Sequence, residues 1–524
     1  MPKNLNVRPY NNKELLLFPA SVGDYLPKDD LAHVVDEAVD EIDLGPYYNK
    51  ISDVGNPPYH PALMIKIWFY GYATKTYSSR KIEEKLYKDV AFIYLAGMQK
   101  PDFKAISEFR RKNLSELRNS FVDILQICHW LGMTKLGDIS LDSRVTKANA
   151  SVDRTYNEKE LIEEREEIQK AIEEYLEKAN ETDLEEDQKY GPDKRGNELP
   201  EDIRKKEDRI KKMKQIVEQL KQAQKKLKDS GKKKINLTDS DAQFQKDKSR
   251  KIPGYRVQVA VDSKEQVIVT SDVTNEQNDR HQLVPMAEKV LENVKKIAPD
   301  KFSKENPREE KISLITDSEY SSSNNLAQFE KEQYKEKFES YVPDTDYVSK
   351  ERNKRDNKDS PFHKSKFIYS EKENSFICPA AKTLHYVRQW TNSAGVTYSI
   401  YHNYKDCKSC QHFGKCTTNK RGRFIHISEH QHLIDRMRQK LSTLEGKRIY
   451  GIRKITAEPV LGNLSQNLGF REFLLRGLHK VKGEFSLMCI AHNLLKIAKL
   501  VRGLGITLKE ALSMQELLAV AESS

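Results

Sequence analysis

Cysteine is scarce, with six in 524 residues, and four of the six fall between Cys378 and Cys416. That excludes a disulfide-built secreted scaffold and suits a chain made for a reducing cytoplasm. The opening residues, Met1-Pro2-Lys3-Asn4-Leu5-Asn6, lack the apolar core of a signal peptide. Long apolar runs are missing as well. The most apolar stretch, Leu63 to Tyr72, is broken by Lys66 and is far shorter than the roughly 20 residues that cross a bilayer, so no membrane span is expected. Disorder is excluded from the other side, because 37% hydrophobic residues suffice for real cores in a chain of about two to four domains. A mean hydropathy of -0.76 implies large solvated parts. The net charge of +11, from 90 basic and 79 acidic residues, favours a polyanionic partner where it is clustered.

Residues 59–131 are dense in helix signals. His60-Pro61 starts one helix, Ser78 caps a second with Glu83 shortly after it, and Asp102 and Ser107 bracket the start of a third. Residues 1–135 therefore read as a compact helical domain with a basic edge, carried by Arg80, Lys81, Arg110, Arg111 and Lys112. Two readings remain open: an ordinary bundle with a solvated face, or a DNA-binding surface. Residues 157–236 then turn to Glu, Lys and Gln, with apolar side chains every three or four positions: Leu161, Ile168, Ile172 and Tyr175, then Ile210, Met213, Val217, Leu220 and Leu227. Gly191-Pro192 and Gly196 separate the two runs. The pattern predicts an antiparallel helical hairpin with an acidic first arm and a basic second arm, a spacer without catalytic groups.

Around this insertion the period changes to two. Residues 136–156 hold a strand from Asp138 to Leu141 closed by Asp142. Residues 237–345 hold strands at 255–261 and 266–273 joined by Asp262-Ser263-Lys264-Glu265, a helix at about 279–297, a strand ending at Asp317, a helix at 324–333 and a strand near 341–343. That order predicts an α/β core, an RNase H-like mixed sheet with helices on both faces. The strands ending at Asp142 and Asp317 can lie side by side in it, and Glu458, on an expected helix within the C-terminal residues 436–524, can close the site. Three carboxylates on rigid elements far apart in sequence are what a two-metal phosphoryl-transfer centre requires, since hard divalent cations take oxygen ligands. The competing reading of each is a capping or surface acid. Asp239 and Asp241 are expected to form a turn.

The remaining segment, 346–435, contains Cys378, Cys407, Cys410 and Cys416 among basic and aromatic neighbours such as Tyr386, Arg388 and Trp390. Four thiolates can close a tetrahedral zinc site, with His412 as a substitute ligand; unpaired surface thiols are the alternative. Cys128 and Cys489 sit among apolar residues and are expected in cores.

Several of these stretches resemble one family. Tyr59-His60-Pro61-Ala62-Leu63-Met64, Ser78-Ser79-Arg80-Lys81-Ile82-Glu83, Leu95-Ala96-Gly97 and Pro101-Asp102 resemble the N-terminal domain of bacterial insertion-sequence transposases of the DDE class. Gly254-Tyr255 with Gln258, Val273-Thr274-Asn275-Glu276 and Asn278-Asp279-Arg280 look like its catalytic core, and Glu458-Pro459-Val460, Gly469-Phe470-Arg471 and Ala491-His492-Asn493 like its C-terminal block. The resemblance implies an enzyme that binds the terminal inverted repeats of its element, cleaves double-stranded DNA there and joins the 3′ ends to target DNA, as a homodimer on the ends, in the nucleoid of a bacterial cytoplasm. It implies that Asp142, Asp317 and Glu458 are the catalytic triad and hold two Mg²⁺, with Mn²⁺ able to substitute. Tyr450 and Arg453 match a Tyr, Arg, Glu, Lys signature around the glutamate, Arg453 being placed to neutralise phosphate. Arg453 stands one residue further from Glu458 than in the commonest form, however, and Ser465 occupies the lysine position. Two rival readings are a stand-alone nuclease with the same acids and an inert DNA-binding derivative of a transposase.

Overall fold

The computed structural model describes residues 21–51, 57–190, 201–247, 250–302, 311–345, 347–348, 361–392 and 395–523. It divides into two compact units, one of residues up to Gly132 together with those from Leu487 onward, the other Met133–Ser486.

The first unit is helical. Its central helix, Pro61–Ala73, is buried on every side, through Leu63, Ile65, Trp68, Phe69 and Tyr72 among others. Pro61 at the first position and the His60 ring, which accepts a hydrogen bond from the Ala62 N–H at 3.2 Å, start it where the sequence suggests. Lys66, which interrupts the apolar run, extends to the edge and pairs with Asp36 at 2.6 Å and Asp40 at 3.0 Å on helix Leu31–Asp40. The Asp102 carboxylate caps Phe103–Lys112 through the Ala105 N–H at 2.7 Å. The basic edge is smaller than the sequence suggests. Arg110 is buried, its guanidinium 4.3 Å above the Trp68 ring, and Arg111 and Lys112 both pair with Glu108. Helical periodicity turns Arg110 inward while its two neighbours stay exposed. Arg80 and Lys81 are exposed, Arg80 lying over Phe103.

The second unit is built on a six-stranded mixed sheet. β1 (Asp138–Lys147) pairs antiparallel with β5 (Arg250–Asp262) and parallel with β7 (Ile312–Ile315), which pairs parallel with β8 (Phe338–Tyr341). β4 (Gln243–Asp247) and β6 (Ile268–Thr274) pair with successive stretches of β5. The helix Leu283–Ile297 packs on β6 and β5, and Ala457–Gly462 packs on β1 and β5. Three expectations shift. β1 does not stop at Leu141 but runs on to Lys147, because β5 offers pairing partners along its whole length. The helix expected from residue 279 begins at Leu283, leaving Asp279 in the core. The helix expected at 324–333 divides into Ser323–Phe329 and Glu332–Lys335, and the last strand ends at Tyr341.

Between β1 and β4 stand the two helices of the insertion, Glu158–Tyr190 and Glu201–Ser230, packed through Leu161, Leu220, Ala223 and Leu227, with Lys228 and Glu158 paired at 3.2 Å. Their base is clasped by β2 (Thr155–Tyr156) against β3 (Ile235–Asn236). The expected turn at Gly191-Pro192 and Gly196, and the Tyr175 side chain, lie outside the described residues. After β8 comes a second sheet that composition alone does not announce: β9 (Ile368–Ser370), β10 (Ser375–Ile377), β11 (Thr383–Thr391), β12 (Thr397–His402) and β13 (Phe424–Ser428), all antiparallel.

Candidate active site

Parallel pairing of β1 with β7 brings Asp142 and Asp317 to one region of the sheet. Asp142 lies in mid-β1, opposite Val259, and Asp317 follows the end of β7 and caps the short turn Ser318–Tyr320 through the Glu319 N–H at 2.9 Å. The third acid arrives on a broken helix. Leu444–Ile452 is followed by a tight turn at Arg453–Ile455, then by Thr456 at φ -115 and ψ -84, and a new helix begins at Ala457. On a continuous helix, side chains five residues apart would diverge by well over a right angle. The break re-phases them, so Arg453 reaches Glu458 at 2.8 Å despite the extra residue between them.

Arg453 is the hub. Its guanidinium lies 2.8 Å from Glu458, 3.4 Å from Asp142 and 3.9 Å from Asp317. Its Nε is buried and has no hydrogen-bond partner among the described residues. Burial pushes the Asp142 carboxyl up to about 6, although Arg453 and the Ser143 N–H pull it down. Asp317 is pushed up to about 7 by burial and then by the Asp142 charge, against the pull of Arg453. One guanidinium thus faces three carboxyls, two of which burial makes harder to ionise. Tyr450 stands beside this group, packed against Tyr347, its hydroxyl raised by burial.

Two features escape the sequence reading. At Ser465, where the resembled signature has lysine, Arg144 supplies a cation instead: its guanidinium donates to the Ser465 hydroxyl at 2.6 Å. Arg144 is two residues from Asp142 on one strand, so period-two spacing could have found it. Ser465 itself is buried in the widened turn Asn463–Asn467. Behind the acids lies a polar buckle. Asp279, fully buried, accepts from Ser143 Oγ at 2.6 Å, Arg256 at 2.6 Å and Gln258 at 2.5 Å. Arg256 also holds Glu319 at 2.8 Å, and Tyr320 donates to Gln258. Ser143 adjoins Asp142 and Glu319 lies two residues past Asp317, so one buried pair braces the backbone beside both acids.

Elsewhere, Asp239 and Asp241 are structural. The Tyr255 hydroxyl lies 2.8 Å from both Asp239 oxygens, and Asp241 accepts from the Leu478 N–H at 2.8 Å. Cys128 and Cys489 are buried. Cys378, Cys407, Cys410, Cys416 and His412 line one apolar cavity of about 30 Å³. The Cys378 sulfur accepts from the Lys382 N–H at 3.3 Å in a tight turn that places Ala381 at φ 55. Gly422 lies so close that a Cβ there would stand 2.6 Å from the Cys407 Cβ. No group of three or more His, Cys, Asp or Glu side chains among the described residues is set closely enough to hold an ion unaided.

Two stretches match protein families. Residues 20–112 match a family described as a transposase domain, and residues 377–498, which include Arg453 and Glu458, match one described as a transposase DDE domain. No curated protein and no solved structure matches the chain. No described helix is long and apolar enough to cross a membrane. Residues 20–112 and 377–498 thus resemble transposase domains in chain order, the second of the DDE type and carrying Arg453 and Glu458 of the acidic centre.

Proposed function

We propose that the chain binds the terminal inverted repeats of its element as a homodimer, cleaves there and joins the freed 3′ ends to target DNA, acting on double-stranded DNA in the bacterial nucleoid. The observation that carries this reading is the convergence of Asp142, Asp317 and Glu458 on Arg453. The order β6-β5-β1-β7-β8, with β1 antiparallel to β5 and parallel to β7, supports an RNase H-like core.

The donor set fits divalent cations, being three oxygen acids, two of them raised by burial against the pull of the single arginine. Asp142, Asp317 and Glu458 would hold two Mg²⁺, or Mn²⁺ in their place. Bound there, the ions would supply an activated water or 3′-hydroxyl and a stabilised leaving oxygen. The chain's own groups do the positioning. Arg453 offers its charge to a phosphate brought to the acids, and Arg144, fixed by Ser465, adds a second cation. The buckle of Asp279 and Arg256 keeps the acids at their spacing. Arg80, Lys81, Arg111 and Lys112, all exposed in the helical unit, are proposed as duplex contacts. The experiment is incubation of purified protein and Mg²⁺ with DNA carrying the element's ends, with sequencing of the products. Joining of pre-cut ends separates a transposase from a nuclease that stops at hydrolysis.

The β9–β13 lobe is further proposed to hold one structural zinc through Cys378, Cys407, Cys410 and Cys416, drawn in around the small cavity they share. Among the described residues its apolar cluster has four enclosed members, Phe367, Leu384, Tyr401 and Ile425, and a lobe with so small a core gains most from a metal staple. Protein kept reduced should purify with about one zinc per chain by the four-ligand rule. Cys407→Ser with Cys410→Ser should lose it and loosen only this lobe. Absence of zinc from reduced wild type would end the idea.

A further inference from the structure

The excess positive charge does not lie where the helical signals point. Residues 1–132 carry 17 Lys and Arg against 17 Asp and Glu, whereas residues 361–430 carry 11 against four, +7 of the chain's +11. The same lobe presents a sheet face that is exposed along β11 and carries half-buried rings on β12 and β13. Cross-strand partners share a face, and the slip in register between Tyr386 and Arg388 divides the lobe's side chains cleanly. On one face Tyr386 meets Tyr401, which packs on Phe376 and belongs to the apolar cluster. On the other, Arg388 and Trp390 of β11 stand with Tyr398, the buried Ile400 and His402 of β12 and with Phe424 and His426 of β13. Trp390 lies 5.9 Å from Tyr398, and His402 stacks on Phe424 at 3.9 Å with the planes nearly parallel. Trp390 is 46% exposed, and every residue from His385 to Thr391 is exposed. Arg388 has no ion-pair partner among the described residues.

We infer that this outer face, Trp390 and Tyr398 beside Arg388 with His402 and Phe424 beyond, binds single-stranded DNA by stacking unpaired bases and pairing with the phosphates between them. Rings exposed on a sheet face can stack only on bases that are not already stacked in a duplex. The lobe's charge supplies the attraction for the backbone. The inference rests on the DNA-processing reading, in which cutting frees strand ends that must be held, yet it is tested apart from catalysis. Fluorescein-labelled oligo-dT of about 15 nucleotides, several times the smallest site known for such platforms, is titrated with the full chain without divalent metal, alongside a duplex of equal length and the matching ribo-oligonucleotide.

Wild type should bind the oligo-dT. Trp390→Ala with Tyr398→Ala should weaken that binding roughly tenfold or more, as loss of stacking does, and weaken duplex binding much less. Trp390→Phe should keep most of the affinity, which excludes a folding defect as the cause. Arg388→Gln should lower the salt dependence by about one phosphate contact. Equal losses for oligo-dT and duplex, no loss in the double variant, or tighter binding of the ribo-oligonucleotide would overturn the inference. Asp317→Ala should leave oligo-dT binding intact, so a failure of the acidic centre and a failure of this face are read in separate assays.

Discussion

Asp317→Ala, Asp142→Ala and Glu458→Ala should each abolish end cleavage, a fall of about a thousandfold or more if several kcal/mol of transition-state stabilisation go with the ligand, while affinity for the DNA ends changes little. The acids meet Arg453, and Asp317 feels the Asp142 charge, whereas the duplex contacts proposed above are other residues. Filter binding and cleavage run on the same preparations test this, and wild-type cleavage by any one variant removes that residue from the centre. A pH dependence accompanies it. Asp142 and Asp317 ionise in the folded chain near 6 and 7, against about 3.9 for a free aspartate. Their protons therefore favour the fold below about pH 4, and that contribution is lost as pH rises through 6 to 7. Mn²⁺, which must displace those protons, should bind more tightly across the same interval and level off above it. A flat profile from pH 5.5 to 8 by calorimetry would contradict the assignment.

Asp279→Ala should cost about 3–5 kcal/mol of stability, the usual result of stranding one member of a buried ion pair. Arg256, mostly enclosed, would keep the Ser143 hydroxyl, the Gln277 carbonyl and Glu319, which is largely solvent-facing, but no buried counter-charge. Ser143 and Gln258 would lose their acceptor at the same moment. Asp279→Asn keeps an acceptor and the shape and should cost less. Urea unfolding measures the difference, and a midpoint for Asp279→Ala within error of wild type would show that the buckle bears no weight. Because Ser143 and Glu319 also hold the backbone beside the acids, the Asn variant should bind Mn²⁺ more weakly, about 10- to 100-fold as other outer-shell losses do.

What could be read from the sequence followed the periodicities. The period-two runs gave β5, β6 and β7, the apolar spacing gave both arms of the hairpin, and Pro61 gave the start of the central helix. What escaped is decided by pairing at a distance. Whether β1 ends at Leu141 or Lys147 depends on β5, more than a hundred residues on. Whether Arg110 points at solvent or at Trp68 depends on a helix that local charge does not reveal. The acids could be nominated singly, but Arg144 and Asp279 gain meaning only when Ser465 and Ser143 arrive beside them from elsewhere in the chain.

The clasp of β2 on β3 bears on how the chain folds. β1 and β5 must find each other across the whole helical insertion, and chain-closure entropy grows with the logarithm of the intervening length. If the two long helices zip first, driven by local contacts, the β2–β3 pairing delivers the ends of β1 and β4 to the same place. The effective separation then shrinks by about two doublings, worth roughly 1 kcal/mol, and the slow, non-local step becomes a shorter search. An insertion remote from the chemistry would thus act as a folding scaffold, and helix-breaking changes near Leu161 or Leu220 should slow refolding of the catalytic sheet more than they weaken it.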